Sequence, residues 1–299
     1  MKKLFNGDFY TDSFHFYSDP VNCIHCHACI KTCSSAILYE DANGMIQMKA
    51  EADGIAGWAG CYRCQHCLAV CPTGAISIMG KMPYASPYRE QAASPAQLDA
   101  LMRNRRACRN YLDKEIPRYE IDDMLRLLEN VPTGSNRQSL EFSVVYEKAE
   151  MDKFRKAVRD EAMRLASEGI YPGKFSKEDF EKQLEWEPAR NPGDMFFVNA
   201  PHLLIIHAPK GVGCWHIDPI LAAAWFDLIC ESRGYGCIMM TYPVGALSHM
   251  PELEKMLGIS EDRHYPMVIG FGYPSIQYQR GVQREGIMKT HEIRFPELP

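Results

Sequence analysis

Eight of the chain's twelve cysteines fall in two runs of identical spacing, and that repetition limits the fold more than any other feature. The runs read Cys23-x2-Cys26-x2-Cys29-x3-Cys33 and Cys61-x2-Cys64-x2-Cys67-x3-Cys71-Pro72. Two-residue steps wrap three thiolates around one face of a cubane cluster, and the fourth thiolate, after three residues, serves the other cluster. The spacing therefore assigns Cys23, Cys26, Cys29 and Cys71 to one 4Fe–4S cluster, and Cys61, Cys64, Cys67 and Cys33 to a second. Two zinc sites are the competing explanation, but zinc usually takes paired C-x2-C units separated by a longer gap. Each run continues into a short apolar helix end and an Ala-Ile strand, so residues 21–40 and 59–80 form an internal repeat. Ser34 follows Cys33 where Pro72 follows Cys71, and the first copy is one residue shorter before Ala36-Ile37, which predicts a looser turn. His25, His27 and His66 lie between ligands, either as solvated loop side chains or as donors that tune a cluster sulfur.

Twelve cysteines without a secretion signal fit a reducing compartment, where clustered thiols bind metals and disulfides are rare. The N-terminus has two lysines but no apolar stretch after them, so no signal peptide is expected. The expected location is the cytoplasm, in an anaerobic setting suited to oxygen-sensitive clusters. A net charge of −5 with no basic run argues against nucleic acid as a partner. The most apolar stretch, 217–230, is short and contains Asp218 and Asp227, so no membrane span is expected.

The stretch KMPYASPYREQAASP (81–95) reads as a linker. It separates an expected cluster domain, 1–85, from a second domain, 86–299. In the second, Ser94-Pro95 opens a helix with Leu98, Leu101 and Met102 as its apolar stripe. Further helices are predicted over 119–129, within the charged region 150–190, and from Asp218 to Gly234. Residues 142–146, 202–207 and 266–272 read as strands, giving an α+β class. Cys108, Cys214, Cys230 and Cys237 are most simply small buried hydrophobes.

The segment 15–80 resembles the bacterial two-cluster ferredoxins, on the paired cysteine runs. The remainder resembles the nitroreductase family of flavin enzymes. That resemblance rests on RRACRNY (105–111), PTGSNRQSLEF (132–142), GYGC (234–237) and GFGYP (270–274), with Arg280 and Arg284 beyond. It implies a mixed sheet surrounded by helices, in a homodimer binding FMN between its subunits. By that likeness, Arg105, Arg106, Ala107, Arg109 and the late Arg284 lie along the FMN phosphate and ribityl chain, with Arg280 a second choice. Ser135, Asn136 and Gln138 reach the flavin's polar edge from the partner subunit, and Met239, Met240, Thr241 and Tyr242 place backbone near its reactive nitrogen. Ala107 stands where the family usually has serine, and Thr241-Tyr242 where many members have Glu-Gly. The aromatics Tyr171, Phe175, Phe180, Trp186, Phe196 and Phe197 form either a lid over a planar substrate or ordinary packing.

Together the two likenesses predict an FMN-dependent oxidoreductase. Reduced ferredoxin or a similar low-potential carrier is its expected donor, and a small electron-poor molecule its substrate. Nitro compounds, enones, halogenated aromatics and quinones are the classes that fit. Reverse flow, from substrate out to ferredoxin, and a non-enzymatic redox sensor or electron-transfer protein are the alternatives.

Overall fold

The computed structural model describes residues 15–52, 60–173, 176–190 and 192–295. The first cysteine run is built from β1 (Tyr17–Ser18), α1 (Ala28–Thr32), β2 (Leu38–Glu40) and β3 (Ile46–Met48). The second adds α2 (His66–Val70) and β4 (Ile76–Ser77). The strands form two antiparallel pairs, β1 with β4 and β2 with β3. Each helix is five residues long and starts from a left-handed residue, His27 at φ 59° and Gln65 at φ 58°. Each ends at an extended cysteine, Cys33 or Cys71. The expected looser turn after Cys33 takes a specific form. In the second run Gly74 adopts φ 65°, which glycine does freely, but in the shortened first run Ala36 itself takes φ 52°. Ile37, Leu38, Ile46, Leu68, Ile76 and Ile78 form a small core between the repeats.

The second domain opens with α3 (Pro95–Asn104), capped as expected by Ser94, whose hydroxyl accepts from Gln97 N while Gln97 Oε1 accepts from Ser94 N. Among the described residues the expected stripe on α3 stays partly open: Leu98 is 47% and Met102 59% exposed, while Leu101 is half-buried. There follow α4 (Arg118–Leu127), β5 (Glu141–Val145), α5 (Lys148–Ser167), α6 (Lys177–Arg190) and β6 (His202–Pro209). Then come α7 (Asp218–Ser232), β7 (Gly236–Met240), α8 (Tyr242–Leu247), α9 (Pro251–Met256), β8 (Arg263–His264) and β9 (Val268–Gly272). The sheet runs β5-β6-β9-β7, with β8 beside β6. These strands pair antiparallel, and a parallel bridge from Ala107 to Cys237 supplies the mixed sense.

Alternation along β6 divides the core. Leu203 and Ile205 face α5 with Met151, Phe154, Val158 and Phe197, whereas Leu204 and Ile206 face α4 and α7 with Ile121, Met124 and Phe226. A sheet covered on both faces in this way buries every residue of β6 except its half-exposed final proline. The strand β7 and the helices α8 and α9 carry no period strong enough to read from sequence. The first is five residues long and is held in place by its neighbours, and α8 and α9 have six each.

Candidate cofactor sites

The eight clustered thiols separate into two cavities. One is lined by Cys23, Cys26, Cys29 and Cys71, the other by Cys33, Cys61, Cys64 and Cys67. Among the described residues, no three His, Cys, Asp or Glu side chains converge as they would on a single ion. Burial pushes Cys61 and Cys29 above the ordinary thiol range and takes Cys67 up to about 12. Thiols in that state become thiolates at neutral pH only beside strong positive charge, which cluster iron supplies.

Backbone N–H groups already point at the sulfurs. Arg63 N donates to Cys61 Sγ at 3.3 Å and Ala75 N to Cys71 Sγ at 3.2 Å. Residues between the ligands make this possible by taking left-handed backbone: His25, His27, Arg63 and Gln65 have φ of 54–59°. The histidines turn elsewhere. His25 Nδ1 and His27 Nε2 share the carboxylate of Glu40, at 3.1 and 3.0 Å, and His66 is exposed.

In the second domain, Arg105 and Arg284 come together, with Arg103, in a cavity of about 320 Å³ closed by Asp99, Met102, Val282 and Glu285. Arg105 is the C-cap of α3, and its Nη1 lies 3.0 Å from Asp227 Oδ2, a buried carboxylate on α7. Burial raises the Asp227 carboxyl, against the lowering effect of Arg105. The acid inside that apolar helix is thus the anchor of Arg105. Asp99 and Glu285 pair with Arg103, and Asp227 with Arg105, so the three guanidiniums face three carboxylates; what the cavity offers an anion is the guanidinium fork, which fits phosphate geometry.

The other arginines go elsewhere. Arg106 donates to the carbonyls of Arg103 and Arg105 at 2.6 and 2.7 Å, folding back on its own loop. Arg106 and Arg109 line a separate cavity of about 260 Å³ with Cys108, Tyr235 and Tyr278. Arg280 lines neither cavity; its carbonyl accepts from Arg106 at 3.4 Å. The chain passes beside β7 because Gly236 has no side chain: a Cβ there would sit 2.4 Å from Cys108 Sγ.

The segment Met239–Tyr242 leaves the end of β7 with Met239 and Thr241 exposed and Met240 buried. Tyr242 stacks on Phe196, centroids 5.3 Å apart and planes at 7°. Phe180, Phe196 and Phe197 lie in the core, at 2% exposure or less, which removes them as a lid. Tyr171 packs against Phe180 and Trp186 is 48% exposed, while Phe175 lies outside the described residues.

The loop bearing Ser135, Asn136 and Gln138 is held by α7, for Gly134 N donates to both oxygens of Asp218 at 3.1 Å. All three residues adopt left-handed backbone, φ 49–54°. Such strain in non-glycine residues gathers at functional sites. The Asn136 amide is engaged within its own chain. Its Nδ2 donates to Tyr62 O at 2.8 Å, and its Oδ1 accepts from Gln138 Nε2 at 3.0 Å. Tyr62 lies between the ligand candidates Cys61 and Cys64, so the loop meets the second cysteine run directly. Sequence reasoning missed Tyr62; only its place inside a C-x2-C step marked it.

Both halves of the chain have counterparts among known proteins. Residues 102–273 match the nitroreductase family, and residues 22–76 match the 4Fe–4S dicluster domain. The iodotyrosine deiodinase of Thermotoga neapolitana is 23% identical over 174 residues, covering 58% of this chain and 87% of that protein. A nitroreductase with bound FMN from Bacteroides fragilis superposes with a TM-score of 0.51 at 16% identity, covering 67% of this chain and 100% of the other. One from Desulfitobacterium hafniense, also with bound FMN, gives 0.50 at 18% identity, covering 64% and 96%. The chain belongs to the nitroreductase family of oxidoreductases, with a 4Fe–4S dicluster domain ahead of the catalytic one.

Proposed function

We propose that this protein is a ferredoxin-linked, FMN-dependent reductase of a small electron-poor substrate. The observation that carries the reading is the hydrogen bond from Asn136 to Tyr62 O, which joins a cluster loop to a flavin-site loop. Two independent modules, 1–85 and 86–299, would have no reason to meet at those two loops. When bound, the clusters move single electrons, and FMN converts them to the paired electrons that reductive chemistry consumes.

The chain's own residues hold these groups. Cys23, Cys26, Cys29 and Cys71 ligate one cluster, and Cys33, Cys61, Cys64 and Cys67 the other. Arg105 and Arg284 grip the FMN phosphate, and Asp227 keeps Arg105 extended toward it. Ser135, Asn136 and Gln138 present amides and a hydroxyl to the polar edge of the ring. Asn136 keeps one Nδ2 hydrogen and one Oδ1 lone pair for that purpose, beyond its bonds to Tyr62 and Gln138.

The flavin site is completed by a second copy of the chain. On α7, Ile217, Ile220, Leu221 and Trp225 form a stripe at helical spacing and are 38–44% exposed. Leu98 and Met102 on α3, which packs beside α7, are likewise exposed among the described residues, as are Ile287, Met288, Ile293 and Phe295 further along the chain. A two-fold axis through the α7 stripe sets the N-terminal half of one helix against the C-terminal half of the other. Asp218 and Asp227 are separated along α7 by about 13 Å, so this contact carries the Gly134 loop of one copy toward the Arg105 cavity of the other.

Halogenated aromatics join nitro compounds as substrates to test, because one relative is an iodotyrosine deiodinase. Anaerobic protein supplied with reduced ferredoxin should reduce at least one of a nitroaromatic, a halophenol, a quinone or an enone, and should release FMN on denaturation. Absence of both flavin and turnover refutes the reading.

A further inference from the structure

We infer that the chain fixes the order of its two clusters, and that Asn136 tunes the inner one through a single shared peptide. The inference rests on the reading above, since it orders the clusters relative to the flavin loop. The peptide unit between Tyr62 and Arg63 is bonded at both ends. Its oxygen accepts from Asn136 Nδ2 at 2.8 Å, and its N–H donates to Cys61 Sγ at 3.3 Å. Hydrogen bonds in series polarise one another, so a donor on the oxygen makes the N–H a stronger donor in turn. An N–H bond to a cluster sulfur favours the more negative, reduced cluster and raises its potential. Asn136 therefore acts on the cluster of Cys33, Cys61, Cys64 and Cys67 from the catalytic domain, without touching a ligand.

The amide is held in the orientation this needs. Gln138 Nε2 donates to Asn136 Oδ1 at 3.0 Å and to Val131 O at 3.3 Å, which turns Asn136 Nδ2 toward Tyr62. The peptide that corresponds in the first run joins Ile24 to His25. There the surroundings are solvent: Ile24 is 60% exposed, Cys26 is exposed, and the His25 ring turns to Glu40. In the second run Cys61 is buried, and Tyr62, Arg63 and Cys64 are half-buried. The cluster of Cys23, Cys26, Cys29 and Cys71 is thus the outer one, open to a one-electron carrier. The cluster of Cys33, Cys61, Cys64 and Cys67 is the inner one. Asn136 is a positioning residue for it, whatever contact it also makes with flavin.

The test is a redox titration of the anaerobic holoprotein followed by electron paramagnetic resonance, with Cys26→Ser and Cys64→Ser used to assign each signal. Asn136→Leu should move the midpoint of the signal lost in Cys64→Ser to more negative potential and leave the other in place. Gln138→Leu keeps the donor but frees its orientation, and should give a smaller shift of the same sign; it carries the test if Asn136→Leu does not fold. Unchanged midpoints in the foldable variant, or movement of the signal lost in Cys26→Ser, overturn the inference. The midpoints are read without substrate or turnover. Protein that binds both clusters but no flavin would therefore refute the proposed function while leaving this shift to be judged separately.

Discussion

The two cysteine runs share a spacing and a backbone, yet they sit in different surroundings. In the first, Val21 and Ile24 are 89% and 60% exposed, Cys26 is exposed, and the loop histidines are held by a surface carboxylate. In the second, the same loop is half-buried and hydrogen-bonded to the catalytic domain. The duplication supplies two equivalent cluster sites, and what lies against each decides its role. An exposed cluster can meet a soluble carrier, and a covered one can meet only what covers it. The asymmetry also reaches the turns: the second run keeps Pro72 and Gly74, and the first manages with Ser34 and a left-handed Ala36.

The largest expected effect tests whether the two runs differ as sites or only in position. Cys26→Ser and Cys64→Ser should each lower iron from about eight to about four per chain, because a serine hydroxyl is a poor ligand beside thiolate. Equal losses with unequal effects on FMN reduction would sharpen the contrast; zinc in place of iron would end it. Next in size, Arg105→Ala or Arg284→Ala should weaken FMN retention by about 1.5–3 kcal/mol, the range of a charge-assisted hydrogen bond. Equilibrium dialysis measures this, and full retention in both would remove the phosphate assignment while leaving the clusters untouched.

Acid should separate the domains. Burial, and then the Arg263 charge, lower His207 to about 4. An unfolded histidine takes its proton near 6.5, and the folded one takes it only near 4. The unfolded state therefore binds more protons across that window, and the catalytic domain loses stability as pH falls from about 6.5 to about 4, by up to about 3 kcal/mol. Glu40 behaves differently. Hydrogen bonds from His25 and His27 lower its carboxyl. Its contribution is present above the ordinary carboxylate value of 4.5 and is lost only as pH falls through the lower folded value. Urea titrations at pH 7 and pH 5, read by Trp215 and Trp225 fluorescence and by cluster absorbance, should show the catalytic domain weakening first. The smallest effect belongs to Glu40→Ala. That carboxylate is solvent-exposed, so its removal should leave iron content unchanged and lower the melting temperature only slightly.

The cysteine quartets were legible because cluster ligation imposes a strict spacing, and the helices at 95, 118 and 218 because capping and periodicity are local signals. The partition of the arginines was not legible. RRACR offers Arg105 and Arg106 as neighbours on the chain, but only Arg105 has a buried acid to extend toward, and Arg106 folds back onto carbonyls. The motif PTGSNRQSLEF singled out Asn136 as a candidate flavin contact. Its bond to Tyr62 was not legible, because a contact across 74 residues leaves no mark in either segment. The aromatics of 171–197 left a lid and ordinary packing both open for a related reason: composition names a residue as aromatic without saying which face of the chain the core takes.

The central claim is that electrons reach the flavin through the inner cluster, and rapid mixing under anaerobic conditions tests it most directly. Reduced ferredoxin is mixed with FMN-loaded wild type and with FMN-loaded Cys64→Ser, and flavin absorbance is followed. The account predicts prompt bleaching in the wild type and none on that timescale in Cys64→Ser, whose flavin still bleaches on direct photoreduction. Bleaching of Cys64→Ser by ferredoxin at the wild-type rate would contradict it, and would show that electrons enter the flavin without passing the cluster beside Tyr62.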